Sequence, residues 1–499
     1  MRSIWTYATL AGLSWALAAT PAMAQPIGGA TQPPGKNKNT NSKEAAQPPS
    51  KDAPNTTSTS AKKEGEGDKD PIVDEAANLF KAGKPDEAYA KLQEAVAKND
   101  KLPPARLMLY RMYLAANRAA DARRTLEQAS VENPDHPDIY ITFAVQALRE
   151  GRLTDAWLEY ERAMLTIQDT KRWNESQRKS VMLACLSGLA QTAEARLQWE
   201  VARKNYEAVL KLDYPKNQLA GIRTALGRML FMLDKRDDAL KEMQQSYADE
   251  PESDPAGVAM AKLYNNKAMQ EKEPAKQKEL LAKAKEWFEY ALKSDPKSYK
   301  THIGYAIWLF DWAYQDKAFL PLAEEELKEA AKLDPKKLDN KILRGLMYRW
   351  VGNYEGAEQE FEAAWKENSD KPDNFFAQNQ LVLALVEQKG NPAKMQRATQ
   401  LAGENVTKHG RNPEAAATYG WVMFKNNRLD DAENALKATF QSGQISPDSL
   451  YYLSQVYRYR GKLTEAAEVL KAACAQPGRF MYRKEATADL DQLSGNKKQ

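Results

Sequence analysis

Small and bulky residues alternate along this chain with a helical step. Ala88, Ala122, Ala156, Ala202, Ala239, Ala284, Ala323, Ala357, Ala398, Ala432 and Ala466 each open a pattern of small at i and bulky at i+4, usually small again at i+7. The bulky partners are Leu92, Leu126, Tyr160, Tyr206, Met243, Phe288, Leu327, Phe361, Leu436 and Leu470, with Ala402 as the exception. Positions i, i+4 and i+7 share one face of an α-helix, so each alanine marks a closely packed stripe. Successive alanines lie 34, 34, 46, 37, 45, 39, 34, 41, 34 and 34 residues apart. A recurring period of 34 predicts stacked helix-turn-helix units, each burying its face only against its neighbours.

The punctuation agrees. Five residues before the alanine stand Gly83, Gly151, Gly352 and Gly461, with Asn117, Asn427 and Asp234 in the same slot. These residues tolerate the left-handed backbone that ends a helix. Asp86-Glu87, Thr154-Asp155, Asp237-Asp238, Asp430-Asp431 and Thr464-Glu465 then place acceptors and negative charge at the start of the second helix. Pro134, Pro251, Pro296 and Pro335 close units, because proline cannot continue a helix.

The chain resembles the tetratricopeptide repeat family over about residues 70–495. Leu450, Leu453, Ser454, Tyr457, Gly461, Ala466, Leu470 and Ala473 fill the family's eight recurrent slots in the last unit. Tyr419, Gly420, Met423, Asn427, Ala432, Leu436 and Thr439 fill most of them in the preceding one. Leu109, Tyr110, Tyr113, Asn117, Ala122, Leu126, Ala129 and Pro134 fit in the second. The resemblance implies an all-α, right-handed α-solenoid of about eleven units. Phe480 to Leu493 is expected to form a capping helix over its open end. Units 1–3 fall in residues 71–168, and units 4–11 with the cap in 169–495.

Three spacings depart from the period. The 46 spacing adds residues around Thr166 to Ser180, and the 45 spacing adds them near Glu271 to Glu279. Extra helical turns or a longer connection would absorb both. The 41 spacing carries Ala402 and Asn405 in place of the usual residues, which predicts weaker packing and a bend around residues 373–410.

Ahead of the repeats, Arg2, the apolar run Ile4 to Ala19 and Ala22-Met23-Ala24 read as a secretory signal peptide, residues 1–24, cleaved before Gln25. The run is short for a membrane span. Residues 25–70 hold Ile27 as their one large aliphatic until the helices begin, and read as a disordered linker. A periplasmic or secreted protein follows, with no integral span after cleavage. Lys and Arg number 72 against 68 Asp and Glu, a balance that argues against a nucleic-acid partner. Cys185 and Cys474 are far apart in an array of local contacts, so two free thiols are expected.

No arrangement for catalysis stands out, and no cofactor or metal is implied. His136 and His409 sit in turn positions that suit surface residues, and His302 begins a helix without a nearby partner pattern. Glu324-Glu325-Glu326 reads as a solvated helix face. By analogy with the resembled family, the expected role is a non-enzymatic scaffold of the cell envelope. It docks a peptide or a helix of a protein partner in its concave groove, in an envelope complex for assembly or export. A glycan-binding protein and an accessory subunit of an enzyme are the alternatives.

In the resembled family the first helix of each repeat lines a concave groove. Its inward slots fall on Arg111, Leu114, Val145, Arg149, Arg228, Phe231, Leu346, Arg349, Trp350, Trp421, Phe424, Lys425, Tyr451, Gln455, Arg458 and Tyr459. Aromatic and Arg residues anchor interfaces, which selects Arg349, Trp350, Trp421, Phe424, Tyr451, Arg458 and Tyr459 as the partner-binding set. Whether Trp421, Tyr451 and Tyr459 share one exposed patch is its first structural test. The aromatic run Tyr305, Trp308, Leu309, Phe310, Trp312 and Tyr314 is expected to pack helices.

Overall fold

The alanine ladder is the packing seam of the structure. A computed structural model describes residues 70–169, 171–367, 375–410, 412–440 and 445–495. The signal-peptide reading and nearly all of the linker reading lie outside these residues. Ala88, Ala122 and the nine alanines that follow them are at most 1% exposed. The residues four and seven positions on are buried with them, from Leu92 and Ala95 to Leu470 and Ala473. Burying a Leu or Phe side chain contributes about 1.5–3 kcal/mol, so the repeated stripe is the main source of cohesion.

Among the described residues there are twenty-three helices and no strand. They form an all-α helical repeat solenoid of eleven pairs and a final helix, divided into two compact units that meet between Glu250 and Pro251. The N-terminal unit pairs α1 (Pro71–Lys81) with α2 (Pro85–Lys98), α3 (Ala105–Ala115) with α4 (Ala119–Glu132), and α5 (Pro137–Arg149) with α6 (Leu153–Thr166). It continues with α7 (Glu175–Ala195) and α8 (Trp199–Leu210), then α9 (Lys216–Met232) and α10 (Arg236–Asp249). The C-terminal unit pairs α11 (Ala256–Gln270) with α12 (Pro274–Ser294), α13 (Tyr299–Asp311) with α14 (Phe319–Leu333), and α15 (Leu338–Trp350) with α16 (Tyr354–Glu367). Then come α17 (Phe375–Val386) with α18 (Pro392–Lys408), α19 (Pro413–Lys425) with α20 (Leu429–Thr439), α21 (Pro447–Tyr459) with α22 (Leu463–Ala475), and α23 (Arg483–Gly495).

Within a pair, glycine on the first helix receives the bulky residue of the second. A methyl group on Gly345 would lie 2.7 Å from the Phe361 ring, and one on Gly420 would lie 2.7 Å from Leu436 Cγ. The absence of a side chain there sets how closely the two helices approach.

The turn slots behave as expected: Gly83, Asn117, Gly151, Asp234, Gly352, Asn427 and Gly461 all have positive φ. Leu197 occupies the same slot at φ 59°, which the sequence does not announce. The acidic residues that follow stand in the first turn of the second helix as expected, but the cap position itself differs. The N-cap residue makes no side-chain capping hydrogen bond in α2, α4, α6, α10, α20 or α22. Instead, the residue at the helix start is a base, and Arg118–Asp121, Arg152–Asp155 and Arg428–Asp431 form exposed ion pairs across the first turn. Such pairs contribute about 0–1 kcal/mol each.

The long spacings are absorbed in helices. The 46 spacing gives the 21-residue α7, started by an Asn174–Gln177 capping box, after a connection pinned by buried Trp173, whose indole donates to Thr166 O at 3.0 Å. The 45 spacing gives the 21-residue α12. At Ala402 the seam stays closed: Ala402 and Asn405 are fully buried, and α17 buries Leu381, Val382, Leu383, Leu385 and Val386, while the Asn405 side-chain amide is buried without a hydrogen-bond partner. The first helix supplies the bulk that the second lacks. The cap begins at Arg483, three residues after Phe480, and seats Ala486 and Leu493 against the array.

Candidate functional site

The inward slots read from the sequence lie eleven, eight or seven residues before each alanine, with Tyr451 a further turn away, fifteen before Ala466. In the first three pairs of the N-terminal unit they remain open. Arg111 and Arg149 are exposed, Val145 is half-buried, and Leu114 is 44% exposed. Lys81 holds on α1 the slot that Arg149 holds on α5, and it too is exposed. None of these three cations has a carboxylate partner among the described residues. Arg149 and Arg111 both lower the Tyr110 phenol against the larger upward push of burial, so the two guanidinium groups act on one neighbourhood. Farther along, Arg228 is taken up by Glu194 at 2.7 Å, and Phe231 is fully buried.

In the C-terminal unit several of the inward positions are filled. Leu346 is 5% exposed, Arg349 7%, Trp421 2% and Tyr451 7%. The material that covers Arg349, Trp421 and Tyr451 comes from the chain itself: the non-helical stretch 476–482 between α22 and α23. Tyr482 stacks on Tyr451 with ring centroids 4.8 Å apart and lies 5.8 Å from Trp421. Its hydroxyl donates to Glu387 Oε1 at 2.8 Å. The Trp421 indole donates to the same oxygen at 2.8 Å, and Lys425 pairs with Oε2 at 2.9 Å. Glu387 is a buried carboxylate held by three donors, a residue that sequence reasoning passed over because its partners arrive from α19 and from beyond α22.

The proposed binding set therefore divides. Arg349, Trp421 and Tyr451 are interior, and Trp421, Tyr451 and Tyr459 do not share one exposed patch, because residues 480–482 bury the first two. Arg458 pairs with Asp489 and donates to Gln492 at 3.2 Å, and Gln455 donates to Asp489 at 2.7 Å, so both secure the cap helix. Trp350 is half-buried against Phe310, with centroids 5.6 Å apart. Phe424 is half-buried and stacks on Trp421 at 5.3 Å. Tyr459 is 63% exposed. The run at Tyr305 packs helices as expected, and the indoles of Trp308 and Trp312 both donate to Asn265 Oδ1, at 3.1 and 2.8 Å.

The histidines have structural duties. His136 is half-buried, caps α5 through Nδ1, accepting from Asp138 N at 3.3 Å, and packs its ring on Trp173. Burial lowers its affinity for a proton. His302 does have a partner: Nδ1 lies 2.6 Å from Glu326 Oε2, and Nε2 lies 3.0 Å from Pro296 O. Glu326 is thereby withdrawn from the solvated face read for Glu324-Glu325-Glu326. His409 packs on Phe375 with centroids 5.0 Å apart. Cys185 and Cys474 are both free, and burial pushes the Cys185 thiol up. Among the described residues, no group of three His, Cys, Asp or Glu is placed to hold a metal ion, and no helix is long and apolar enough to cross a membrane.

Residues 79–147 and 418–479 each match a family model described as tetratricopeptide repeat. No curated protein matches the chain. Among solved structures, yeast Tom70 is 13% identical with a TM-score of 0.36, over 86% of this chain and 96% of that one. A tetratricopeptide repeat protein from Parabacteroides merdae is 12% identical with a TM-score of 0.35, over 63% and 99%. PilF from Pseudomonas aeruginosa is 16% identical with a TM-score of 0.31, over 48% and 99%. At these scores the likeness carries no functional argument. With one family model matched near each end of the array and the same small-large-small stripe buried between them, the chain is a tetratricopeptide repeat protein.

Proposed function

We propose that this chain is a non-enzymatic scaffold of the cell envelope whose N-terminal unit holds an acidic, extended segment of a protein partner. The observation that carries this reading is the set of exposed, unpaired cations Lys81, Arg111 and Arg149, beside exposed Leu114, on the first helices of three successive pairs. Unpaired guanidinium groups beside an apolar surface suit carboxylates and apolar side chains alternating along a peptide, since Arg pairs with carboxylate bidentately. Delivery to the envelope rests on the signal-peptide reading of residues 1–24. In the C-terminal unit, Trp350, Phe424 and Tyr459 keep surface that a partner can cover, while Arg349, Trp421 and Tyr451 do not. That burial also withdraws the Trp421 and Tyr451 ring faces from any sugar.

The test is affinity capture from envelope extract with the parent chain and with Arg111→Glu/Arg149→Glu. One stoichiometric protein, retained by the parent and lost by the variant, and cross-linked to α3 or α5 through an acidic segment, is the expected result. Equal retention by both chains, or retention on polysaccharide alone, would overturn it.

A further inference from the structure

Residues 476–482 follow a path that a bound peptide would take. They touch the first-helix side of all six pairs in the C-terminal unit. Gly478, at φ 87°, would place an added methyl 3.3 Å from Met269 Cε of α11, and its N–H points to the Tyr314 hydroxyl at 3.4 Å, just after α13. Arg479 lies 3.3 Å from Asp311 and over the Phe310 ring of α13. Phe480 is fully buried and meets Tyr451 of α21. The Met481 amide reaches Asp448 of α21. Tyr482 reaches Arg349 of α15, Glu387 beyond α17, and Trp421 of α19. Arg483 shapes the stretch from its own side, donating to Cys474 O at 3.1 Å, Gln476 O at 2.6 Å and Gly478 O at 3.0 Å.

The fit is incomplete. Arg349 Nε and Asp448 Oδ1 are buried beside the segment and have no hydrogen-bond partner. Buried polar groups are normally satisfied, so the lining offers donors and acceptors that its own segment does not use.

We propose that the inner face of the C-terminal unit is a peptide-binding site for an Arg-aromatic-x-Tyr sequence, occupied at rest by the chain's own Arg479-Phe480-Met481-Tyr482. A partner segment of that pattern, carrying further polar groups toward Arg349 and Asp448, competes with the internal copy. The basic and aromatic chemistry of this ligand is opposite to that proposed for the N-terminal unit, so the two readings stand or fall separately.

The probe is a fluorescent synthetic peptide, Gln-Pro-Gly-Arg-Phe-Met-Tyr-Arg, titrated against the full chain and against full-length Phe480→Ala/Tyr482→Ala. The variant is expected to bind it saturably and at least tenfold more tightly than the parent does. Replacement of the peptide's tyrosine by phenylalanine should weaken that binding. A variant that keeps the parent's helical signal yet binds no better than the parent would overturn the proposal. Amide hydrogen exchange of the parent covers the case in which the variant does not fold. Gly478 to Tyr482 should exchange at least tenfold faster than α21, by local opening. Exchange of this segment only together with α21 would make it a fixed strut and end the proposal.

Discussion

The Tyr482 hydroxyl and the Glu387 carboxylate meet at 2.8 Å across 95 residues of chain. That bond ties the segment before the cap helix to the ninth repeat, with Trp421 and Lys425 as the other donors to the same carboxylate. Removing one donor from a buried carboxylate costs about 1–3 kcal/mol. Tyr482→Phe should sit at the low end, because two donors remain, and Trp421→Phe should cost more through lost packing. Urea unfolding followed by tryptophan fluorescence reads both, and no loss in either variant would mean that the carboxylate is not held as described.

The glycine seats admit a sharper contrast. Gly345→Ala drives a methyl into the Phe361 ring at 2.7 Å, and overpacking of this kind costs about 1–3 kcal/mol. Gly221→Ala lies on α9 with nothing within 4 Å of the added methyl. It should stabilise by about 0.5–1 kcal/mol through helix propensity. Melting temperatures moving in opposite directions are the expected outcome.

Leu197 is 68% exposed and sits at φ 59°. A non-glycine residue in that region costs about 1–2 kcal/mol, and an exposed side chain returns little in packing. Leu197→Gly should therefore raise stability by up to about 1 kcal/mol, read as a higher urea midpoint with an unchanged slope.

Asp448 is pushed up to about 6 by burial, the largest influence, against the pull of Arg349 and Arg479 and the Met481 amide, with Glu414 adding to the rise. Its ordinary value is 3.8. Between these values the folded chain keeps a proton that the unfolded chain has released, so this group's contribution falls as pH rises from about 4 to about 6 and stays low above. The change is at most about 3 kcal/mol, at about 1.4 kcal/mol per pH unit. Asp448→Asn should flatten that fall in a series of urea midpoints; an unchanged pH slope would assign it to other groups.

The ladder from Ala88 to Ala466 was legible because it is local: three positions on one helix face state how that helix packs. The left-handed turns were legible where Gly, Asn or Asp fill them and hidden at Leu197, where no residue type signals the backbone. The inward slots were placed in register, but their exposure was not legible. Whether Trp421 is open depends on Tyr482, which lies beyond the next full repeat, and on how six pairs accumulate around one segment. Pro477-Gly478 followed by Arg-Phe-Met-Tyr was the available signal: a helix-breaking pair before large aromatics, where a cap helix was expected. His302 and Glu326 show the same limit on a smaller scale, since their contact joins α13 to α14.

The most direct measurement is a titration of the full chain with a fluorescent, extended Asp- and Glu-rich peptide. Saturable binding that weakens with added salt and falls at least tenfold in Arg111→Glu/Arg149→Glu is the predicted result. The helical signal of that variant should be unchanged. Absence of binding, or binding indifferent to the charge reversal, would contradict the assignment of the partner site to the N-terminal unit.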